Sequence, residues 1–160
     1  RCNDVSIQNN IVYDNANAGI MLHRSSDKAI VRNNTVSGSG DACIAIFESF
    51  EGDYSNNVCR DNKYGFRWSV GGSYNKVYDN LIERSTQYGL YFYQGTDLPY
   101  VGDGLPSYNI VANNIIDVAT EGLKMGNTVG NEFTGNVFMN TSDLRIRSSS
   151  NVTWTVRQFP

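Results

Sequence analysis

Helical periodicity is missing from this sequence. No stretch repeats its apolar residues at a period of about 3.6 over the length of a helix, which excludes a helical repeat or bundle. Cysteine is sparse too. Cys2, Cys43 and Cys59 form no CxxC pair, so a zinc framework is excluded, and three is an odd set for a disulfide scaffold. They read as small buried core residues. Histidine occurs once, at His23, and no Cys/His/Met cluster exists, which argues against an accessory role in metalloenzyme maturation. No apolar run approaches the roughly 20 residues that span a bilayer, so no membrane insertion is expected. Positive charge is in the minority. Lys and Arg total 13 against 16 Asp and Glu, a net charge of −3, so no nucleic-acid partner is expected. The first residue is Arg1 rather than Met, and a strand-like stretch follows directly, so the chain reads as a fragment or a processed product.

Asparagine is what the sequence has in a pattern. It recurs in IQNNIV, VRNNTV, YSNNVC, VYDNLI, VANNII and FTGNVF, at Asn10, Asn34, Asn57, Asn80, Asn114 and Asn136. The steps are 24, 23, 23, 34 and 22 residues. A loop over residues 95–108, which holds two of the 3 prolines, accounts for the long step. A second repeat runs in phase: GIMLHR, CIAIFE, GFRWSV, GLYFYQ, GLKMGN and DLRIRS, each a short strand with period-two alternation and most opened by Gly, as at a bend where the backbone needs freedom. Such a period with short strands means a solenoid. The reading is an all-β, right-handed parallel β-helix of 22–24-residue coils, one domain over residues 1–160. The asparagines have a structural job, tolerating left-handed turns and hydrogen-bonding from coil to coil.

Stacking the strands in register sorts their side chains. The second column (Ile20, Ile44, Phe66, Leu90, Leu123, Leu144) and the fourth (Leu22, Ile46, Trp68, Phe92, Met125, Ile146) are apolar throughout and must face inward. The third (Met21, Ala45, Arg67, Tyr91, Lys124, Arg145) and fifth (His23, Phe47, Ser69, Tyr93, Gly126, Arg147) then face outward, followed at the turn by Arg24, Glu48, Val70, Gln94, Asn127 and Ser148. In an acidic chain this face concentrates cations and aromatic rings. It suits an extended anionic polymer, with rings on sugar faces and Arg or Lys on carboxylates.

The stretch NDVSIQNNIVYDNANAGIMLHRSSDKAIVRNNTV, with the strand ends LHRSS, FES, RWSVG and FYQGTD, resembles the catalytic β-helix of mannuronan C5-epimerases over roughly residues 1–140. The bacterial periplasmic type and its brown-algal relatives are the most similar. The resemblance implies epimerisation of β-D-mannuronate to α-L-guluronate within alginate. It implies a secreted, extracellular or periplasmic protein, monomeric, with an anionic polysaccharide as partner. Three sequons, at Asn33, Asn140 and Asn151, would matter only on a secretory route. The chemistry needs a cation on the uronate carboxylate, a base for the C5 proton, and an acid on the opposite sugar face. If the C4 oxygen leaves instead, the same intermediate gives a lyase. A non-catalytic carbohydrate-binding β-helix is the reading from a different class.

The family's Asp-Pro-His-Asp motif is absent, and the chain corresponds to the C-terminal coils of such a domain. The catalytic candidates are His23 as base or donor, Arg24 and Arg67 as carboxylate partners, Glu48 and Tyr93. Glu48 lies one coil beyond Arg24 in one column, so an Arg24–Glu48 ion pair is an equal alternative. Substrate-binding candidates are Phe47, Tyr91, Gln94, Lys124, Arg145 and Arg147, together with Arg1, which falls within one residue of a family arginine that neutralises the carboxylate. No cofactor is expected. Calcium at Asp97 and Asp103 of the loop stays open as an alternative, on the thin evidence of two carboxylates.

Overall fold

The computed structural model describes residues 2–118, 120–147 and 149–159. Arg1, a substrate-binding candidate, and Ser148, expected at the turn beyond the outer face, lie outside the described residues. The chain winds as a parallel β-solenoid. Each middle coil supplies two three-residue strands and one longer strand, as in Ile30–Arg32, Thr35–Ser37 and Ala42–Phe47, then Asp53–Ser55, Val58–Arg60 and Tyr64–Ser69. Every strand pairing is parallel. The short strands form a 12-stranded sheet whose two faces are joined by the continuous strand Glu132–Met139. The long strands form a six-stranded sheet running from Ile20–His23 through Ala42–Phe47, Tyr64–Ser69, Tyr88–Tyr93 and Glu121–Gly126 to Asp143–Arg147.

The asparagine corner divides its two jobs between neighbours. The first residue of each pair takes the left-handed turn: Asn9, Asn33, Asn56, Asp79 and Asn113 have φ between 54° and 59°. The second builds the ladder. Asn34 donates through Nδ2 to Asn57 Oδ1 (3.0 Å), Asn57 to Asn80 Oδ1 (3.0 Å), Asn80 to Asn114 Oδ1 (2.9 Å) and Asn114 to Asn136 Oδ1 (2.9 Å). All five side chains are buried, so these amides close the hydrogen bonds of a corner that water does not reach. A second ladder, not anticipated from the sequence, runs Asn75–Asn109–Asn131 along another corner.

The second and fourth columns do form the core, with Trp68 stacked on Phe92 at 4.0 Å. Ile146 departs from this: it is 41% exposed, because Asp143–Arg147 is the last strand of its sheet. Five residues expected to face solvent, Ala45, Phe47, Glu48, Ser69 and Val70, are buried. Ala45 is too short to reach past its register neighbours Met21 and Arg67. Phe47 lies under the His23 ring, and Val70 lies under the turn at Gly95.

The cysteine reading also needs correction. Cys43 and Cys59 are buried, but they form a disulfide between adjacent coils, with Cα atoms 5.6 Å apart, while Cys2 is exposed. The two cysteines come from different repeat columns, so column sorting does not reveal that their side chains meet inside the core. The glycines that open the long strands are also there for a different reason than expected. Gly65 and Gly89 have no positive φ. A Cβ on Gly89 would lie 2.7 Å from the Gly122 carbonyl oxygen, and one on Gly65 would collide with that of Gly89, so the need is space between coils.

Candidate functional site

The outward face of the six-stranded sheet carries two groups of side chains. The first spans the three C-terminal strands and the strand before them. Parallel register sets Arg67, Tyr91, Lys124 and Arg145 in one row. Tyr91 stacks on Tyr93 at 4.7 Å and 8°. Arg67 donates from Nη1 to the Tyr93 hydroxyl (3.2 Å) and is held from its other side by Asp41 (2.9 Å). Tyr64 and Tyr88 stack on each other at 5.5 Å, and both lean on Tyr91, at 5.3 and 4.8 Å. Lys124 donates to the Tyr88 hydroxyl (2.8 Å) and lies 4.6 Å from the centre of that ring.

These contacts set protonation. The Tyr88 hydroxyl bond raises the Lys124 pKa above the ordinary lysine value, so the ammonium is kept. Burial raises the Tyr91 pKa, so that phenol stays protonated, with the Lys124 charge opposing the shift. A cleft of about 160 Å³ opens beside them, lined by Tyr91, Tyr93, Gln94, Lys124, Arg145 and Arg147 among others. Its walls hold stacked phenols, an amide and three cations. Arg145 is engaged by Glu121 (3.4 Å) and Asp143 (3.0 Å). Lys124 and Arg147 have no carboxylate within 4.0 Å among the described residues, which leaves them the cations open to an incoming anion.

The second group sits at the other end of the sheet under the loop. His23 is exposed and stacks flat on Phe47 (4.6 Å, 11°). Arg24 is enclosed. It faces Glu48 at 3.7 Å and Asp97 at 3.4 Å, and its guanidinium lies 3.9 Å from the centre of the Tyr100 ring. Glu48 is buried and accepts hydrogen bonds from the backbone N–H groups of Tyr100 and Val101, the second at 2.9 Å. The Arg24–Glu48 pair is thus a clamp on residues 95–108. Gln94 donates to the Asp103 carbonyl, and the Asp103 carboxylate accepts from the Leu105 N–H.

His23 and Tyr93 do not meet. Register runs His23–Phe47–Ser69–Tyr93, three rungs at about 4.8 Å each, or about 14 Å. Sequence reasoning missed Tyr64, Tyr88, Asp41, Glu121 and Asp143. It began most strands at the glycines, whereas those strands start one residue earlier, and Tyr64 and Tyr88 pack beside Tyr91 on the outer face. The recurrence of Tyr or Glu directly before Gly in YGF, YGL and EGL was the available signal.

No curated protein matches the chain. Among solved structures, a double mutant of the periplasmic alginate epimerase AlgG is similar, with a TM-score of 0.73 and 16% sequence identity. The match covers 99% of this chain and 46% of that one, so the chain spans less than half the length of that protein. At that identity the likeness concerns the fold. A family model described as the right handed beta helix region matches residues 1–157, and the chain belongs to that family.

Proposed function

We propose that this β-helix modifies a polysaccharide and that its outer sheet binds a polyuronate, with C5 epimerisation of mannuronate to guluronate in alginate as the reaction. One observation carries the reading: stacked Tyr91 and Tyr93 lie beside Lys124 and Arg147, two cations without carboxylate partners among the described residues. Parallel rings offer the apolar face that a pyranose needs, and the cations meet its carboxylate. The likeness to an alginate epimerase adds support at the level of fold.

In this reading Lys124 and Arg147 hold the carboxylate and lower the cost of forming the carbanion at C5. Arg67 fixes the Tyr93 hydroxyl, which donates a proton to one face of C5 once water has taken the original proton from the opposite face. His23 is too far from Tyr93 to serve the same sugar, so it contacts a neighbouring residue of the polymer, with Phe47 beneath it. Arg24 and Glu48 act through the loop. Tyr91, Gln94 and Arg145 line the sugar path. The Cys43–Cys59 disulfide supports an oxidising compartment, hence a secreted or periplasmic location.

Incubation with polymannuronate in deuterated water tests the reaction. New guluronate signals carrying deuterium at C5 are expected. Unsaturated sugar ends would assign a lyase instead. Polymer binding without any change in the sugar would reduce the proposal to a binding module.

A further inference from the structure

A separate cleft lies on the far side of the loop. It measures about 330 Å³ and is bordered by Tyr74 and Tyr108, by Val101, Gly102, Asp103 and Leu105 of the loop, and by the Gly71 turn. Tyr74 and Tyr108 stack at 5.3 Å and 10°, and each is at least half exposed. Both are in the left-handed region, at φ 59° and 56°. Bulky side chains rarely accept that conformation. The same corner carries Lys28, Glu51 and Gly130 in other coils, so the left-handed turn belongs to the column and these two coils fill it with rings. Tyr74 and Tyr108 are the aromatic residues with positive φ among the described residues, and both border this cleft. The strained turns therefore present rings where the cleft is.

The walls are built rather than loose. Ser73 Oγ donates to the Leu105 carbonyl (3.0 Å) and accepts from the Ser107 N–H (2.9 Å), which pins the end of the loop. Asp103 Oδ1 accepts from the Leu105 N–H (2.9 Å), which orients that carboxylate. Among the described residues, no lysine or arginine borders the cleft. Its charge is thus opposite to that of the sheet face, and a uronate would be repelled.

We propose that this cleft binds a neutral, hydroxyl-rich sugar ring. The C–H face of the sugar packs on the tyrosine wall, and its hydroxyls donate to Asp103. The site is independent of the polyuronate reading and stands if that reading fails.

The test uses three neutral β-1,4-linked hexasaccharides, of mannose, glucose and xylose, with hexamannuronate as the anionic control. Binding of at least one neutral probe is expected, with shifts of the Tyr74 and Tyr108 ring protons in the NMR spectrum of the unaltered protein. Tyr74→Ala and Tyr108→Ala should each weaken that binding about tenfold, while hexamannuronate binding at the sheet stays unchanged. Reading ring shifts in the unaltered protein keeps the test valid if a variant misfolds. The proposal is overturned if no neutral probe binds, if the shifts fall on Tyr91 and Tyr93 instead, if hexamannuronate binds at Tyr74 and Tyr108 as tightly, or if folded Ala variants bind as well as the parent.

Discussion

Replacing Asn57 by Ala should be among the most damaging single changes outside the apolar core. Asn57 Oδ1 accepts from the backbone N–H and the side-chain Nδ2 of Asn34, both at 3.0 Å. Its own Nδ2 donates to the Val31 carbonyl (2.9 Å) and to Asn80 Oδ1 (3.0 Å). Asn80 Oδ1 keeps the backbone N–H of residue 57 as a donor, so it is not orphaned. The Asn34 amide likewise keeps the Ile7 carbonyl (2.9 Å), and the Val31 carbonyl keeps its place in the strand ladder with Asp53–Ser55. The buried Asn34 N–H is left without a partner. At roughly 1–3 kcal/mol for an unsatisfied buried group, the loss is about 2 kcal/mol. The same change at Asn10, whose side chain is exposed at the first rung, should cost less than about 1 kcal/mol. Urea unfolding followed by circular dichroism reads both, with stability taken from the midpoint at constant slope. Equal losses at Asn10 and Asn57, or a loss at Asn57 below about 1 kcal/mol, would refute the view that buried amide ladders hold the coils together.

Three other perturbations probe separate parts of the structure. Replacing Cys43 and Cys59 together by Ala opens a cross-link with a sequence separation of 16 and should cost about 3 kcal/mol, read as a lower urea midpoint; the same drop is expected on reducing the parent protein. Glu48→Ala removes the acceptor of two loop N–H groups; at about 1.5 kcal/mol for each bond to a charged group, loop opening rises about 100-fold, and proteolysis within residues 95–108 should accelerate accordingly, whereas an unchanged cleavage rate would mean that the loop is held elsewhere. Tyr88→Phe removes the hydroxyl that chiefly raises the Lys124 pKa, so NMR titration of the lysine side chain should show it falling toward the ordinary value. The sign follows from the charged form being favoured in the folded state: this contribution is full below the unfolded lysine pKa of about 10.4 and is lost as pH rises through the higher folded value.

The solenoid was legible because its period is written twice, in the asparagines and in the apolar columns, and each coil repeats the same physical requirement. Inward and outward faces followed from strand alternation alone. What failed was what alternation does not encode. Strict alternation would turn Tyr64 and Tyr88 inward, yet both pack against Tyr91 on the outer face. Ion pairs such as Arg67–Asp41 and Arg145–Glu121 join residues from different columns, so a face read as a row of open cations has most of them engaged. The Arg24–Glu48 pair was one of two readings of that column, but the loop that Glu48 holds was not legible, because where residues 95–108 fold back is specified by no local pattern.

The central claim is that the stacked phenols and open cations of the sheet bind a uronate. Titrating trimannuronate into the protein while following side-chain NMR signals tests it most directly. Lys124, Arg147 and the rings of Tyr91 and Tyr93 are expected to shift together and saturate with one affinity, while Tyr74 and Tyr108 stay put. Shifts confined to other residues, or none at all, would contradict it.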